Sequence, residues 1–136
     1  MTDIKPLSER VKLIQRKQIG DERGWFLKII TGKENDLPNY TGEIYAVYAV
    51  AGQSRGGHYH KKASEWFTLL VGKSILHLED ISSNETLKID LDAKQPFTVF
   101  VPPNIAHRFE NTGDDPLILI AYTDELYDST DTISYY

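Results

Sequence analysis

Four residues of acid–base and ligand type, His58, His60, Glu65 and His107, are spaced so that a β-fold can gather them. His58 and His60 are two apart, so on a strand they project from one face. Glu65 opens the next strand-like run, and a short turn brings it back beside the histidines. Gly72 ends that run with a tight turn. Further on, Pro102-Pro103-Asn104-Ile105-Ala106-His107 sets a rigid turn before a strand that opens with His107. In a closed barrel this strand lies beside the first histidine pair. Imidazole moves protons near neutral pH. Three imidazoles and a carboxylate also suit Fe, Mn, Ni or Zn. The plain alternative is a hydrogen-bonded polar cluster, but four such residues in one pattern favour a functional site.

The elements that must position them are short strands. Gly and Pro recur throughout, and between them lie runs rich in β-branched and aromatic residues. The expected strands are Trp25–Thr31, Ile44–Val50, Gly57–His60, Glu65–Val71, Lys73–Asp80, Thr86–Leu91, Phe97–Val101, His107–Asn111 and Leu117–Tyr122. Such spacing indicates an all-β sandwich or barrel. Helices are expected only as short pieces near the ends. In Lys73–Asp80, Ile75 and His77 point one way and Leu76 and Leu78 the other. Trp66 alternates with Glu65 and is expected to face away from the cluster. The tail from Asp124 to Tyr136 is polar and aromatic, suited to capping the barrel or meeting a second subunit.

Composition narrows the classes. The 136 residues are expected to form one domain, 1–136. A formal net charge of -5 argues against nucleic acid. No cysteine is present, which excludes thiolate chemistry and disulfides. No apolar run approaches a membrane span, and the N-terminus lacks a signal-peptide core, so a cytoplasmic protein is expected. A barrel of this size leaves sheet edges to cover, which favours a homodimer, with N-terminal strand exchange as one way to form it.

These residues resemble the cupin superfamily. Gly52, His58, His60, Glu65 and Gly72 fit the first cupin motif at every position. Pro102, His107 and Asn111 fit the second, with Asn104 where the family has Gly and Pro96 where an earlier Gly is usual. Asn tolerates the left-handed backbone better than most residues. The resemblance implies a cupin fold, the double-stranded β-helix or jelly-roll barrel. Asp21-Glu22-Arg23-Gly24-Trp25-Phe26 resembles a segment of the dTDP-4-dehydrorhamnose 3,5-epimerases. Arg55-Gly56-Gly57-His58-Tyr59-His60-Lys61 and the ending Tyr127-Asp128 to Tyr135 are similar to the WxcM-like dTDP-4-keto-6-deoxyglucose 3,4-ketoisomerases. Gly56-Gly57 reads as a close-packed turn leading to His58.

The implied function is an isomerase or epimerase of a nucleotide-linked 4-keto-6-deoxy sugar, with the 3,4-ketoisomerase as the specific expectation. Catalysis would proceed by proton transfer through an enediolate. The expected catalytic residues are His60 as carbon base, His58 as hydroxyl shuttle and Arg55 on the enediolate or diphosphate. Arg23, Tyr48, His107 and Tyr122 are the expected substrate contacts. No cofactor is expected on this reading. Glu65 departs from the ketoisomerase pattern, where Gln is usual. The first alternative is therefore a metal-dependent cupin, an oxidoreductase or metal-assisted epimerase holding Fe, Mn, Ni or Zn on His58, His60, Glu65 and His107. The second is a non-catalytic sugar-binding cupin.

Overall fold

A computed structural model describes residues 4–22, 24–38 and 42–136. Its elements are a short helix α1 (Leu7–Arg10) and strands β1 (Lys12–Gln15), β2 (Gln18–Asp21), β3 (Gly24–Leu27), β4 (Glu43–Ala49), β5 (Ser54–Tyr59), β6 (Glu65–Val71), β7 (Lys73–Asp80), β8 (Thr86–Asp92), β9 (Phe97–Val101), β10 (Ile105–Asn111), β11 (Leu117–Thr123) and β12 (Ile133–Ser134). A 3₁₀ turn covers Ser129–Asp131. Two five-stranded sheets form, in the orders β1-β9-β6-β11-β4 and β12-β5-β10-β7-β8, and β2 and β3 make a separate hairpin. All pairings are antiparallel.

Strand alternation builds the core. The inward set of one sheet includes Phe67, Leu69, Val99, Leu117 and Leu119, and that of the other Leu76, Leu78, Ile89 and Phe109, all in one cluster. Fully burying each such side chain is worth about 1.5–3 kcal/mol. The period-two reading of Lys73–Asp80 holds: Leu76 and Leu78 are buried, whereas His77 reaches Glu110 on the outer face at 2.9 Å. Trp66 also faces outward, against Phe100 and Tyr122 of the neighbouring strands.

Three expectations are revised. The run expected over Trp25–Thr31 is a strand only over Gly24–Leu27. β1, too polar to stand out, pairs with β9. Gly56 and Gly57 are not a turn but lie inside β5, which begins at Ser54. No helix among the described residues is long and apolar enough to cross a membrane.

Candidate active site

A tight turn brings the histidines together. Asn104 takes the left-handed conformation at φ 66°, as its type allows, and its N–H donates to the His60 carbonyl at 2.7 Å. The Pro102–Asn104 turn is thereby tied to the end of the histidine segment. β10 then runs beside β5 with His107 opposite His58. Ring centroids are 4.9 Å apart for His58 and His107, 5.1 Å for His58 and His60, and 5.5 Å for His60 and His107. Glu65 opens β6 from within, 3% exposed, with Oε1 2.8 Å from His60 Nε2 and 3.3 Å from His107 Nε2.

The second register feature is a bulge. Pairing runs from His107↔His58 to Arg108↔Gly56, so Gly57 is the extra residue of β5. Both glycines have positive φ, 94° at Gly56 and 86° at Gly57. A Cβ on Gly56 would lie 2.8 Å from the His107 carbonyl oxygen, and one on Gly57 would lie 2.1 Å from that of Tyr136. The bulge changes the parity of the strand. Arg55, an odd number of residues from His58, comes opposite Phe109 and shares the inner side with the histidines.

A cavity of about 210 Å³ lies between β4 and β5, with Tyr45, Arg55, His58 and His107 on its walls and Phe67 and Leu119 among its apolar residues. Arg55 Nη1 crosses to the Tyr48 carbonyl at 3.0 Å. The Tyr45 hydroxyl donates to Glu65 Oε2 at 2.6 Å. Sequence reasoning missed Tyr45. Its signal was parity, since Tyr45 and Tyr48 are three apart on an unbroken strand and one of them must face in.

The same parity places two of the expected substrate contacts away from the cluster. The Tyr48 side chain points outward and is 53% exposed. Tyr122 pairs with Trp66 and packs against it, on the face opposite Glu65. Arg23 lies outside the described residues. His58, His60, Arg55, Glu65 and His107 are brought together.

Protonation follows from partners. A carbonyl oxygen only accepts, so His60 Nδ1–H donates to the Asp131 carbonyl at 2.8 Å and His107 Nδ1–H to that of Ile105 at 3.1 Å. Both Nε2 atoms therefore turn toward Glu65. Burial works against the Glu65 carboxylate, yet His107 and His60 outweigh it and hold the carboxyl well below its usual range. Burial also opposes charge on His60, and the Glu65 carboxylate 2.8 Å away overcomes it, raising its pKa. Among the described residues, His58 has no such partner. Burial, then the charges of His107 and His60, push it down to about 4, so it stays neutral at pH 7. Burial and Glu65 raise the Tyr45 hydroxyl.

The same atoms fit a cation. His60 Nε2, His107 Nε2 and Glu65 Oε1 are buried, close together and without an aligned hydrogen bond. One ring nitrogen from each of His58, His60 and His107 lies within 4.8 Å of the others. A ring whose far N–H is held by a carbonyl presents its other nitrogen as a ligand, which is the usual support of a metal-binding histidine. Two states satisfy this cluster: an imidazolium–carboxylate pair, or a divalent ion at the convergence.

Residues 19–135 match the polysaccharide biosynthesis C-terminal domain family. The chain belongs to that family. The spore coat polysaccharide biosynthesis protein SpsL of Bacillus subtilis (strain 168) is 25% identical over 122 residues, covering 86% of this chain and 80% of its own. A dTDP sugar isomerase from Desulfovibrio desulfuricans G20 superposes with a TM-score of 0.81 at 21% identity, over 94% of this chain and 85% of that one. That likeness shows the fold, an RmlC-like cupin. A sugar 3,4-ketoisomerase from Thermoanaerobacterium thermosaccharolyticum, solved in complex with TDP, superposes with a TM-score of 0.75 at 26% identity, over 93% of this chain and 89% of that one. This member of the polysaccharide biosynthesis C-terminal domain family thus has a cupin barrel with a polar cluster on its inner face.

Proposed function

We propose that the chain is a sugar-nucleotide isomerase or epimerase, and specifically a 3,4-ketoisomerase of a dTDP-linked 4-keto-6-deoxy sugar. One observation carries the reading: the His58 imidazole opens onto a small cavity beside Arg55 and Tyr45, and the Tyr45 hydroxyl is bonded to Glu65. The likeness to the TDP-bound ketoisomerase supports the substrate class. At about 210 Å³ the cavity is below the roughly 300 Å³ of ordinary ligand pockets. It suits one sugar ring, with the nucleotide lying outside.

A carbon next to a ketone carries an acidified proton. A base removes it to give an enediolate, and its return to the neighbouring carbon moves the ketone. Return to the opposite face of the same carbon inverts the centre instead. The sequence points to His60 as the carbon base. Its Nδ1 is held by Asp131 and its Nε2 by Glu65, so we assign the carbon base to His58 instead. The Tyr45 hydroxyl, backed by the Glu65 carboxylate, then gives its proton to the ketone oxygen as it takes the one leaving the neighbouring hydroxyl. Arg55 faces the developing negative charge, and its remaining donors suit phosphate as well.

The cation fit favours a second, metal-assisted form of the same chemistry. His58, His60, Glu65 and His107 would hold the ion. Bound there, a divalent metal would supply Lewis-acid stabilisation of the enediolate oxygens.

The test is product identity. With dTDP-4-keto-6-deoxyglucose, ¹H NMR should show the ketone moved to carbon 3. Inversion at carbon 3 or 5 would make the chain an epimerase, and an unchanged sugar would contradict the reading. Elemental analysis of the purified protein decides the second form. Stoichiometric Fe, Mn, Ni or Zn, with turnover lost to chelator, supports it. Full turnover in metal-free protein removes it.

A further inference from the structure

The C-terminal tail folds back onto the histidine strand. Asp128 starts the 3₁₀ turn by accepting from the Thr130 N–H at 2.9 Å and its hydroxyl at 2.7 Å. This turn delivers Asp131, 7% exposed, to the segment between His60 and Glu65. The Asp131 carboxylate accepts from the backbone N–H groups of Lys61 at 2.8 Å, Lys62 at 3.1 Å and Ala63 at 3.3 Å. The carbonyl of the same residue takes the His60 Nδ1 proton at 2.8 Å. Beyond it, Ile133 and Ser134 pair with Tyr59 and His58, and the N–H groups of Tyr135 and Tyr136 donate to the Gly57 carbonyl.

We propose that Asp131 is a positioning residue: it fixes both the His60 ring and the turn that carries Glu65, so the tail completes the geometry of the site. Three N–H groups on one carboxylate are charge-assisted and directional, and they leave the 61–63 turn one arrangement. Without them, residue 131 keeps its backbone carbonyl but loses the anchor that sets its distance from His60 Nδ1, and the turn that carries Glu65 is free to shift relative to His107 and Tyr45. A misplacement on the order of 1 Å costs up to about a hundredfold in rate.

This inference rests on the proton-transfer reading for its kinetic arm, and a second arm is independent of turnover. In Asp131→Ala, kcat should fall about ten- to a hundredfold with KM within about twofold of wild type. Asp131→Asn keeps one acceptor oxygen and turns an N–H₂ toward an N–H, so its kcat should lie between the two. An Asp131→Ala protein with wild-type kcat would overturn the proposal. In ¹⁵N-histidine-labelled protein, the His60 Nδ1 proton should give a downfield, slowly exchanging signal. Because the acceptor is the backbone carbonyl, which both variants keep, the signal should move upfield and exchange faster in Asp131→Ala, and do so less in Asp131→Asn. An unchanged signal in both variants also overturns the proposal, whether or not wild type turns over a sugar nucleotide. A signal that responds as stated in a wild type without activity sinks the functional reading and leaves the positioning role standing. If Asp131→Ala does not fold, Asp131→Asn decides both arms.

Discussion

Across the cavity, β5 is paired on both sides, by β10 and by β12, whereas β4, among the described residues, is paired on one side, by β11. The bulge of β5 is fastened by the tail and by β10, and that strand carries Arg55, His58 and the approach to His60. β4 offers the Tyr45 hydroxyl inward while Ile44 and Tyr48 stand 66% and 53% exposed outward. The two meet where Arg55 reaches the Tyr48 carbonyl. Tyr48 thus enters the site through its backbone, not its ring. The groups assigned to bond-breaking lie on strands held from both sides, and the singly held strand supplies a hydroxyl. A group that must meet a carbon–hydrogen bond in line needs the tighter support.

This contrast can be broken from β5 first. His58→Asn keeps size and polarity but removes the base, and turnover should fall about 10²–10⁴-fold while thermal unfolding stays near wild type. Next is the bulge. Gly57→Ala places a methyl on the Tyr136 carbonyl at positive φ, where strain alone costs about 1–3 kcal/mol. It should lower stability by at least that and reduce turnover about tenfold or more by moving Arg55. Gly52→Ala is the control, because its φ is 79° but nothing lies within 4 Å of the added carbon. It should destabilise by about 1–2 kcal/mol, from the left-handed backbone alone, and leave turnover per folded molecule unchanged. Equal losses in the two alanine variants would contradict the bulge argument. The smallest effect belongs to β4. Tyr45→Phe removes the hydroxyl that relays the sugar's hydroxyl proton, a role one water in the cavity can take over, and should slow turnover about tenfold. Tyr48→Phe and Tyr122→Phe should match wild type in steady-state kinetics, and a larger loss in either would reverse the facing assigned to them.

Much of the site was legible in residue type and spacing. The pair His58 and His60, the return of Glu65 and the Asn104 turn before His107 each need local geometry alone. Trp66 was read correctly because it directly follows Glu65 on β6, before the bulge at Leu70. Spacing alone did not say which way Tyr48 and Tyr122 face, because facing depends on register, and register is set by partners far away in sequence. Arg55 shows the reverse. Simple alternation from His58 would turn it outward, and two positive-φ glycines turn it inward. Family likeness singled out Arg55, but the cause is the bulge. The same likeness covered the tail without disclosing that Asp131 serves the His60–Glu65 turn, since that contact joins residues about seventy positions apart. The barrel itself was the easiest part, because short alternating strands between Gly and Pro leave few other ways to bury one face.

The central claim is that the inner-face cluster moves a proton between carbons of a keto sugar. Incubation with dTDP-4-keto-6-deoxyglucose in heavy water, followed by NMR, tests it directly. Wild type should place deuterium on the ring carbon next to the ketone, and His58→Asn should slow that labelling about a hundredfold or more. Sugar bound without any label entering the ring, or labelling at the wild-type rate in His58→Asn, would contradict the account.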